Sequence, residues 1–186
     1  MPPSNAPRLC VYCASHLGSD PRFVESAQAV GELLVAKNID LVFGGGQVGL
    51  MGVVADSAMA GGRHVIGVIP SSMMGREIGH TAISELMVVD DMAARKNAMF
   101  LAADAFLTLP GGVGTMEEMF EMLSWGYLHL HSKPMGLLNV NGYYDSLVDF
   151  LDQTVELGMT STSARELLIV DSDPERLIDL LLPQGV

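Results

Sequence analysis

Two glycine-rich turns are the strongest candidates for ligand binding in this sequence. One has the sequence GGGQVG and begins at Gly44, and the other has the sequence GGVGT and begins at Gly111. Without side chains, backbone N–H groups in such turns approach phosphate oxygens closely, and a following helix adds the positive end of its dipole. Neither turn has the dinucleotide fingerprint in its usual place or the lysine of a P-loop. Tight turns alone explain either run, but two runs together favour a pocket for a nucleotide phosphate.

The second turn is followed directly by two adjacent carboxylates, Glu117 and Glu118. Thr115 and Glu118 have the spacing of a capping box, which predicts a helix with Thr115 as its N-cap and requires no ligand. Two carboxylates at the start of a helix weaken anion binding there. A carboxylate in this position is easier to explain if it faces a ribose hydroxyl or a developing cation.

Arg95 and Lys96 form the other candidate group, in a chain that has 10 Lys and Arg against 22 Asp and Glu. One explanation is a surface pair between Asp91 and Arg95 at i, i+4, worth only ~0.3–0.5 kcal/mol. The other is that both cations lie at the carboxyl end of a strand and offset the charge of a bound ligand.

Apolar runs of strand length alternate with helical periods along the whole chain. Strands are predicted at 9–14, 40–43, 64–69, 86–89, 105–109, 134–138 and 167–170, and helices at 21–37, 50–60, 91–102, 115–128, 143–157 and 174–182. A parallel sheet covered on both faces requires strands that are apolar throughout, as these are. We therefore predict a single-domain, Rossmann-like α/β fold, a doubly wound parallel sheet flanked by helices over residues 8–182, with 1–7 as a flexible tail. Ligands bind such sheets beyond the carboxyl ends of the strands, where both turns fall.

Charge and composition exclude several classes of protein. The net charge of −12 argues against nucleic acid and membrane surfaces as partners. No apolar run approaches the ~18 residues of a membrane span, and the N-terminus has no signal-peptide pattern, so a cytoplasmic location is expected.

Cys10 and Cys13 have the C-x-x-C spacing of some redox and zinc sites. The odd spacing on a strand sends the two thiols to opposite faces of the sheet. Zinc needs about four ligands, and no second cluster of cysteine or histidine supplies them. We therefore expect structural cysteines and no metal.

Taken together, these residues resemble the LONELY GUY family of cytokinin riboside 5′-monophosphate phosphoribohydrolases and related nucleotide hydrolases, from about Arg8 to Leu182. The most specific match is PGGVGTMEE, which begins at Pro110 and looks like the family's P-G-G-x-G-T-x-x-E. Arg95-Lys96, Lys133-Pro134 and the first glycine turn with GLMG after it also occur in family order.

The resemblance implies hydrolysis of the N-glycosidic bond of a cytokinin or adenosine nucleoside 5′-monophosphate, giving free base and ribose 5-phosphate without a cofactor. By resemblance, Arg95 and Glu118 match the catalytic pair, and a carboxylate suits the oxocarbenium-like state of such a reaction. The further substrate contacts implied are Glu77, Lys96, Gly112, Val113, Gly114, Thr115, Met116, Glu117 and Ser124. The resemblance and the apolar helix with Met119, Met122 and Trp125 also predict a homodimer.

Other functions stay open beside the hydrolase. Ala93 and Ala94 stand where the family often has His and Glu, which favours a non-catalytic carrier of a nucleotide or of the molybdenum cofactor on the same fold. Lysine decarboxylation, a common label for this family, is rejected because it needs a lysine that forms a Schiff base with pyridoxal phosphate. The sequence leaves open whether the base is adenine or an N6-prenylated adenine.

Overall fold

The parallel sheet predicted from the apolar runs is confirmed by the computed structural model, which describes residues 6–75 and 78–183. Within these residues seven parallel strands form one sheet in the order β4-β3-β2-β1-β5-β6-β7. The strands are β1 (Arg8–Tyr12), β2 (Asp40–Phe43), β3 (Val65–Pro70), β4 (Glu85–Val89), β5 (Ala105–Thr108), β6 (Met135–Leu138) and β7 (Leu168–Asp171).

Helices connect the strands on both faces of the sheet. They are α1 (Pro21–Ala36), α2 (Gly49–Ala60), α3 (Met92–Ala102), α4 (Val113–Tyr127), α5 (Asp145–Glu156), α6 (Thr162–Arg165) and α7 (Pro174–Leu181). The four-residue helix α6 was not predicted, because a single turn is too short to show a helical period. No helix among the described residues is long and apolar enough to cross a membrane.

The core lies in two layers, one on each face of the sheet. Side chains of α1, α2 and α7 pack in one layer, and those of α3, α4 and α5 pack in the other. Cys13 belongs to the first layer and Cys10 to the second, and both thiols are free and buried. The predicted separation of the two cysteines onto opposite faces is therefore confirmed.

Successive strands are added in opposite directions on the two sides of the boundary between β1 and β5. From β1 the sheet extends through β2 to β4 on one side, and from β5 through β6 to β7 on the other. The backbone N–H of Ala14, after β1, donates to the carbonyl of Pro110, after β5, at 3.1 Å. A crevice therefore opens at the carboxyl ends of these two central strands, which is the usual ligand position in doubly wound sheets.

Two local predictions concern the start of α4 and the N-terminal segment. The capping box at Thr115 is wrong: α4 begins two residues earlier, with Gly112 as an N-cap that has no side-chain hydrogen bond. Of the predicted tail at 1–7, residues 1–5 lie outside the described residues, while the Pro7 carbonyl accepts from the Asp40 N–H at 2.9 Å.

Candidate active site

A cleft of about 320 Å³ lies at the carboxyl ends of β1 and β5. It is bounded by the loop after β1, the loops after β2 and β3, the first turn of α3 and the start of α4. The lining consists of residues 11–16, Gly44, Met51, Met73, Met92, Arg95, 112–115, Glu117 and Glu118. The fold thus brings the expected catalytic pair and most of the second glycine turn to one cleft.

Arg95 is buried at the cleft, with only 5% of its surface exposed. Its Nε donates to the Val68 carbonyl at 3.1 Å and its Nη2 to the Gly44 carbonyl at 2.9 Å. Asp91 instead caps α3, since its Oδ1 accepts from the Ala94 N–H at 2.8 Å. The explanation of Arg95 as a surface partner of Asp91 is therefore wrong. The guanidinium is held instead by carbonyls at the ends of β2 and β3.

Glu118 lies on α4 with 9% of its surface exposed and lines the same cleft. Burial raises the pKa of the neighbouring Cys13 thiol, the Glu118 carboxylate raises it further, and the Arg95 guanidinium opposes the rise. Burial likewise raises the pKa of Tyr12, with added effects from Cys10 and Glu118. The thiol and the phenol therefore stay neutral near pH 7.

The start of α4 borders open space. A Cβ added to Gly112 or to Gly114 would have no heavy atom of the described residues within 4 Å beyond its chain neighbours and its own helix backbone, and neither glycine has the left-handed backbone. A Cβ on Gly111, in contrast, would collide with the side chain of Thr115. Packing within the protein therefore explains Gly111 but not Gly112 or Gly114. The first N–H groups of a helix have no partner inside the helix, so this end of the cleft suits an anion.

Other parts of the protein fill the space beside the first glycine turn. Gly45 has φ +75°, and its added Cβ would lie 3.1 Å from the Val68 backbone. Gly46 forms an antiparallel bridge with Gly79. The Leu50 N–H at the start of α2 donates to the Ala14 carbonyl at 3.0 Å. This turn contributes Gly44 to the cleft but offers much less room to a ligand than the second turn.

Several predicted substrate contacts do not line the cleft. Lys96 forms ion pairs with Glu117 and, at 3.0 Å, with Glu121. Met116 packs against the core layer of α3 to α5, and Ser124 is exposed on α4. Glu77 lies outside the described residues.

Lys133, which was part of the family pattern, is also away from the cleft. It precedes β6, at the amino end of the strand and away from the carboxyl ends that border the cleft. Its Nζ donates to the Phe100 carbonyl at 2.5 Å. The same ammonium lies 4.1 Å from the centre of the Phe100 ring, a cation–π distance. Its contacts are those of a structural side chain.

Sequence reasoning missed the part of the lining that follows β1 and the three methionines at the rim. Met92 makes a weak contact with Arg95, from Sδ to Nη1, at 3.8 Å. Met51 and Met73 come from α2 and from the turn after β3. The one signal that could have indicated residues 13–16 was their position after a central strand, and that required the strand order.

Comparison with known proteins identifies the family of the chain. The family model described as "Possible lysine decarboxylase" matches residues 51–181. A protein of Oryza sativa subsp. japonica named "Probable cytokinin riboside 5'-monophosphate phosphoribohydrolase LOGL6" is 48% identical over 174 residues, covering 94% of this chain and 70% of its own. Cytokinin riboside 5′-monophosphate phosphoribohydrolase LOG4 of Arabidopsis thaliana is 47% identical over 174 residues, covering 94% of this chain and 81% of its own. The chain belongs to the LONELY GUY family.

Solved structures resemble this LONELY GUY chain in fold. The molybdenum cofactor binding protein of the phototrophic bacterium Rippkaea orientalis has a TM-score of 0.71 at 23% identity, covering 96% of both chains. The Moco carrier protein of Chlamydomonas has a TM-score of 0.70 at 20% identity, covering 97% of this chain and 100% of its own. At such identities the likeness shows the shared α/β architecture and nothing about ligands.

Proposed function

We propose that this LONELY GUY protein hydrolyses the N-glycosidic bond of a nucleoside 5′-monophosphate, releasing the base and ribose 5-phosphate. The observation that supports this is the placement of buried Arg95 and Glu118 in one cleft, beside a helix start whose glycines face open space. The names of the relatives support a cytokinin riboside 5′-monophosphate as the first substrate to test, with AMP beside it.

In this proposal the phosphate binds at residues 112–115, which line the cleft, because backbone N–H groups and the positive end of α4 would stabilise an anion there. The ribose then lies next to Glu118, one turn further along α4. As the base departs, the sugar gains positive charge, and the carboxylate stabilises it more strongly in the transition state than in the ground state. Glu118 also orients and activates the attacking water.

Arg95 binds the substrate and supports departure of the base. Its Nε and Nη2 are already engaged by two carbonyls, so the guanidinium is fixed before a substrate arrives. The thioethers of Met51, Met73 and Met92 give the cleft an adaptable apolar side, which suits the face of a purine and an apolar N6 substituent. When the bond between C1′ and the base breaks, water supplies the hydroxyl to C1′, and the remaining proton of that water is taken up by a ring nitrogen of the departing base.

Pyridoxal phosphate chemistry does not fit this cleft. Among its described lining residues there is no lysine to form a Schiff base. Lys96, one residue from Arg95, is instead engaged by two carboxylates of α4.

Met119 and Met122, on which the predicted dimer partly rested, are buried in the core layer of α3 to α5 and are not free to form a subunit interface. We still propose a homodimer, which forms through the outer face of α3 and α4. Leu101 of α3 is 70% exposed, and Phe120 and Tyr127 of α4 are exposed as well. Burial of such side chains favours association. Light scattering at micromolar concentration should give twice the monomer mass, and Phe120→Glu should shift it to the monomer; a monomeric parent protein would contradict the proposal. A cytoplasmic location and a small-molecule partner rather than nucleic acid stay predictions.

The activity is tested by incubating the protein with AMP and with N6-prenylated AMP and measuring free base and ribose 5-phosphate. Glu118→Gln should lower the rate at least ~1000-fold, because the neutral amide neither stabilises the sugar cation nor activates water. Glu25→Gln on the exposed face of α1 is the matched control and should leave the rate unchanged. Undiminished turnover in the Glu118 variant would refute its role, and tight binding without products would favour the carrier function.

A further inference from the structure

The ion pairs of Lys96 join α3 to α4 beside the cleft. Its Nζ pairs with Glu117 and, at 3.0 Å, with Glu121, while its side chain is only 16% exposed. Successive residues of a helix point about 100° apart, so Arg95 enters the cleft whereas Lys96 is directed along its side toward α4. The ammonium is thus held between two carboxylates of the protein and away from the cleft lining.

Glu117 connects this cluster to the cleft. It lines the cleft next to Glu118, and half of its side chain is exposed. Arg95 is the one Lys or Arg among the described lining residues, so two carboxylates and one guanidinium surround a substrate that carries a phosphate dianion. An uncompensated carboxylate at Glu117 would repel that phosphate, and the ammonium of Lys96, which also pairs with Glu121, offsets its charge.

Resting on the function proposed above, we propose that Lys96 is a positioning residue that acts through Glu117: it neutralises and holds that carboxylate at the mouth of the cleft and does not contact the phosphate. A positive charge used in this way lowers the cost of binding an anion in a strongly acidic protein. The substrate class that benefits is the phosphorylated nucleoside, because an uncharged nucleoside has no phosphate to repel.

Glu121 separates this role from simple helix packing. It lies one turn beyond Glu117 on the same side of α4, pairs with the same ammonium and does not line the cleft. Its Oε2 is buried without a hydrogen-bond partner. Loss of the Glu121 carboxylate therefore alters how α3 and α4 are joined, while the charge that faces the substrate stays the same.

The test is a double-mutant cycle on Lys96 and Glu117, read as KM for the nucleoside monophosphate and as Kd for ribose 5-phosphate by calorimetry. Lys96→Met should raise both roughly tenfold, because one negative charge near the phosphate is no longer cancelled. Glu117→Gln should lower both. The double variant has the same net charge as the parent protein and should return to within about twofold of it. A double variant that binds as weakly as Lys96→Met would overturn the proposal and indicate direct contact with phosphate.

Two controls make the outcome specific. Glu121→Gln should change the melting temperature but keep KM and Kd within about twofold, and a tenfold loss of binding there would indicate a packing effect instead. The Lys96→Met defect should shrink at high salt, since screening acts on charge and not on packing. If the parent protein binds ribose 5-phosphate but does not hydrolyse nucleotides, the function proposed above fails, while the Kd cycle still decides the role of Lys96. Should Lys96→Met not fold, the expected fall in Kd for Glu117→Gln remains decisive.

Discussion

The two glycine turns lie at the same edge of one sheet but differ in what fills the space beside them. At Gly44 that space holds the Arg95 guanidinium, and at Gly45 it holds the backbone of β3. At Gly112 and Gly114, within the part of the chain that the structure describes, no atom outside the local backbone lies within 4 Å of an added Cβ. A glycine run therefore has two distinct causes, close packing of the protein on itself or room left for a ligand, and the neighbours of the missing Cβ separate them.

The two turns also have different roles in the proposed reaction. The first turn contributes a carbonyl that holds Arg95, and the second contributes open backbone at a helix start. Substitutions to alanine should accordingly alter different quantities in the two turns.

Among substitutions in the two glycine turns, Gly44→Ala should have the largest effect on activity. Its Cβ would collide with the Arg95 Nη2 and lie 3.1 Å from the Met51 Sδ, so the guanidinium must move. Misplacement of a catalytic group by about 1 Å costs on the order of 100-fold, and we expect kcat/KM to fall by at least that factor. Steady-state kinetics beside a circular dichroism spectrum will measure this. Activity within tenfold of the parent protein would contradict the contact as the source of Arg95 positioning.

Gly114→Ala should separate binding from stability. The added methyl enters space that the protein leaves open, so we expect KM to rise roughly 30-fold, about 2 kcal/mol of lost phosphate binding. The melting temperature should stay level or rise, since alanine is favoured over glycine in a helix by about 1 kcal/mol. Thermal melts and kinetics on one preparation measure both. A fall in melting temperature with unchanged KM would show that packing, and not a ligand, requires this glycine.

Gly111→Ala is the counterpart within the same turn. Its Cβ would collide with the buried Thr115 side chain, which must shift or expose itself. We expect a loss of about 2 kcal/mol in the free energy of unfolding, measured by urea titration. Similar stability in the Gly111 and Gly114 variants would remove the distinction drawn between the two positions.

The smallest effect is expected from an ion pair outside both turns. Two bonds from Arg176, each 2.5 Å long, lower the pKa of Asp171 to about 2. Because this pKa lies below the value of ~3.9 in an unfolded chain, the stabilisation is complete above about pH 5 and is lost as the pH falls from about 4 toward 2. Since Arg176 is largely exposed, Asp171→Asn should cost only about 1 kcal/mol near pH 7 and much less at pH 2, where Asp171 is close to its folded-state pKa. Its kinetics should be those of the parent protein; a changed KM would show that stability and substrate binding are coupled.

The order of strands and helices was predictable because apolar runs and helical periods are local properties of the chain. The sheet was predictable as parallel for the same reason, since each strand reads as buried on both faces. The start of α4 was not, because Thr115 and Glu118 match a capping box by spacing while the preceding Gly112 already takes the N-cap position.

The candidate site was predictable in part. Arg95, Glu118 and the second glycine turn follow strand ends, and they meet in the cleft as expected. The lining after β1 depends on β1 and β5 being neighbours, although they lie far apart in sequence. Lys96 was grouped with Arg95 because the two are adjacent, but the rotation of α3 directs one toward carbonyls and the other toward α4.

The burial of both cysteines has a practical consequence for handling the protein. Cys10 and Cys13 lie in opposite core layers, so the folded chain cannot join them in a disulfide. Burial raises the pKa of each thiol, which keeps the reactive thiolate scarce. Iodoacetamide should therefore label neither residue until the protein is denatured, and catalysis should proceed equally well with or without a reducing agent.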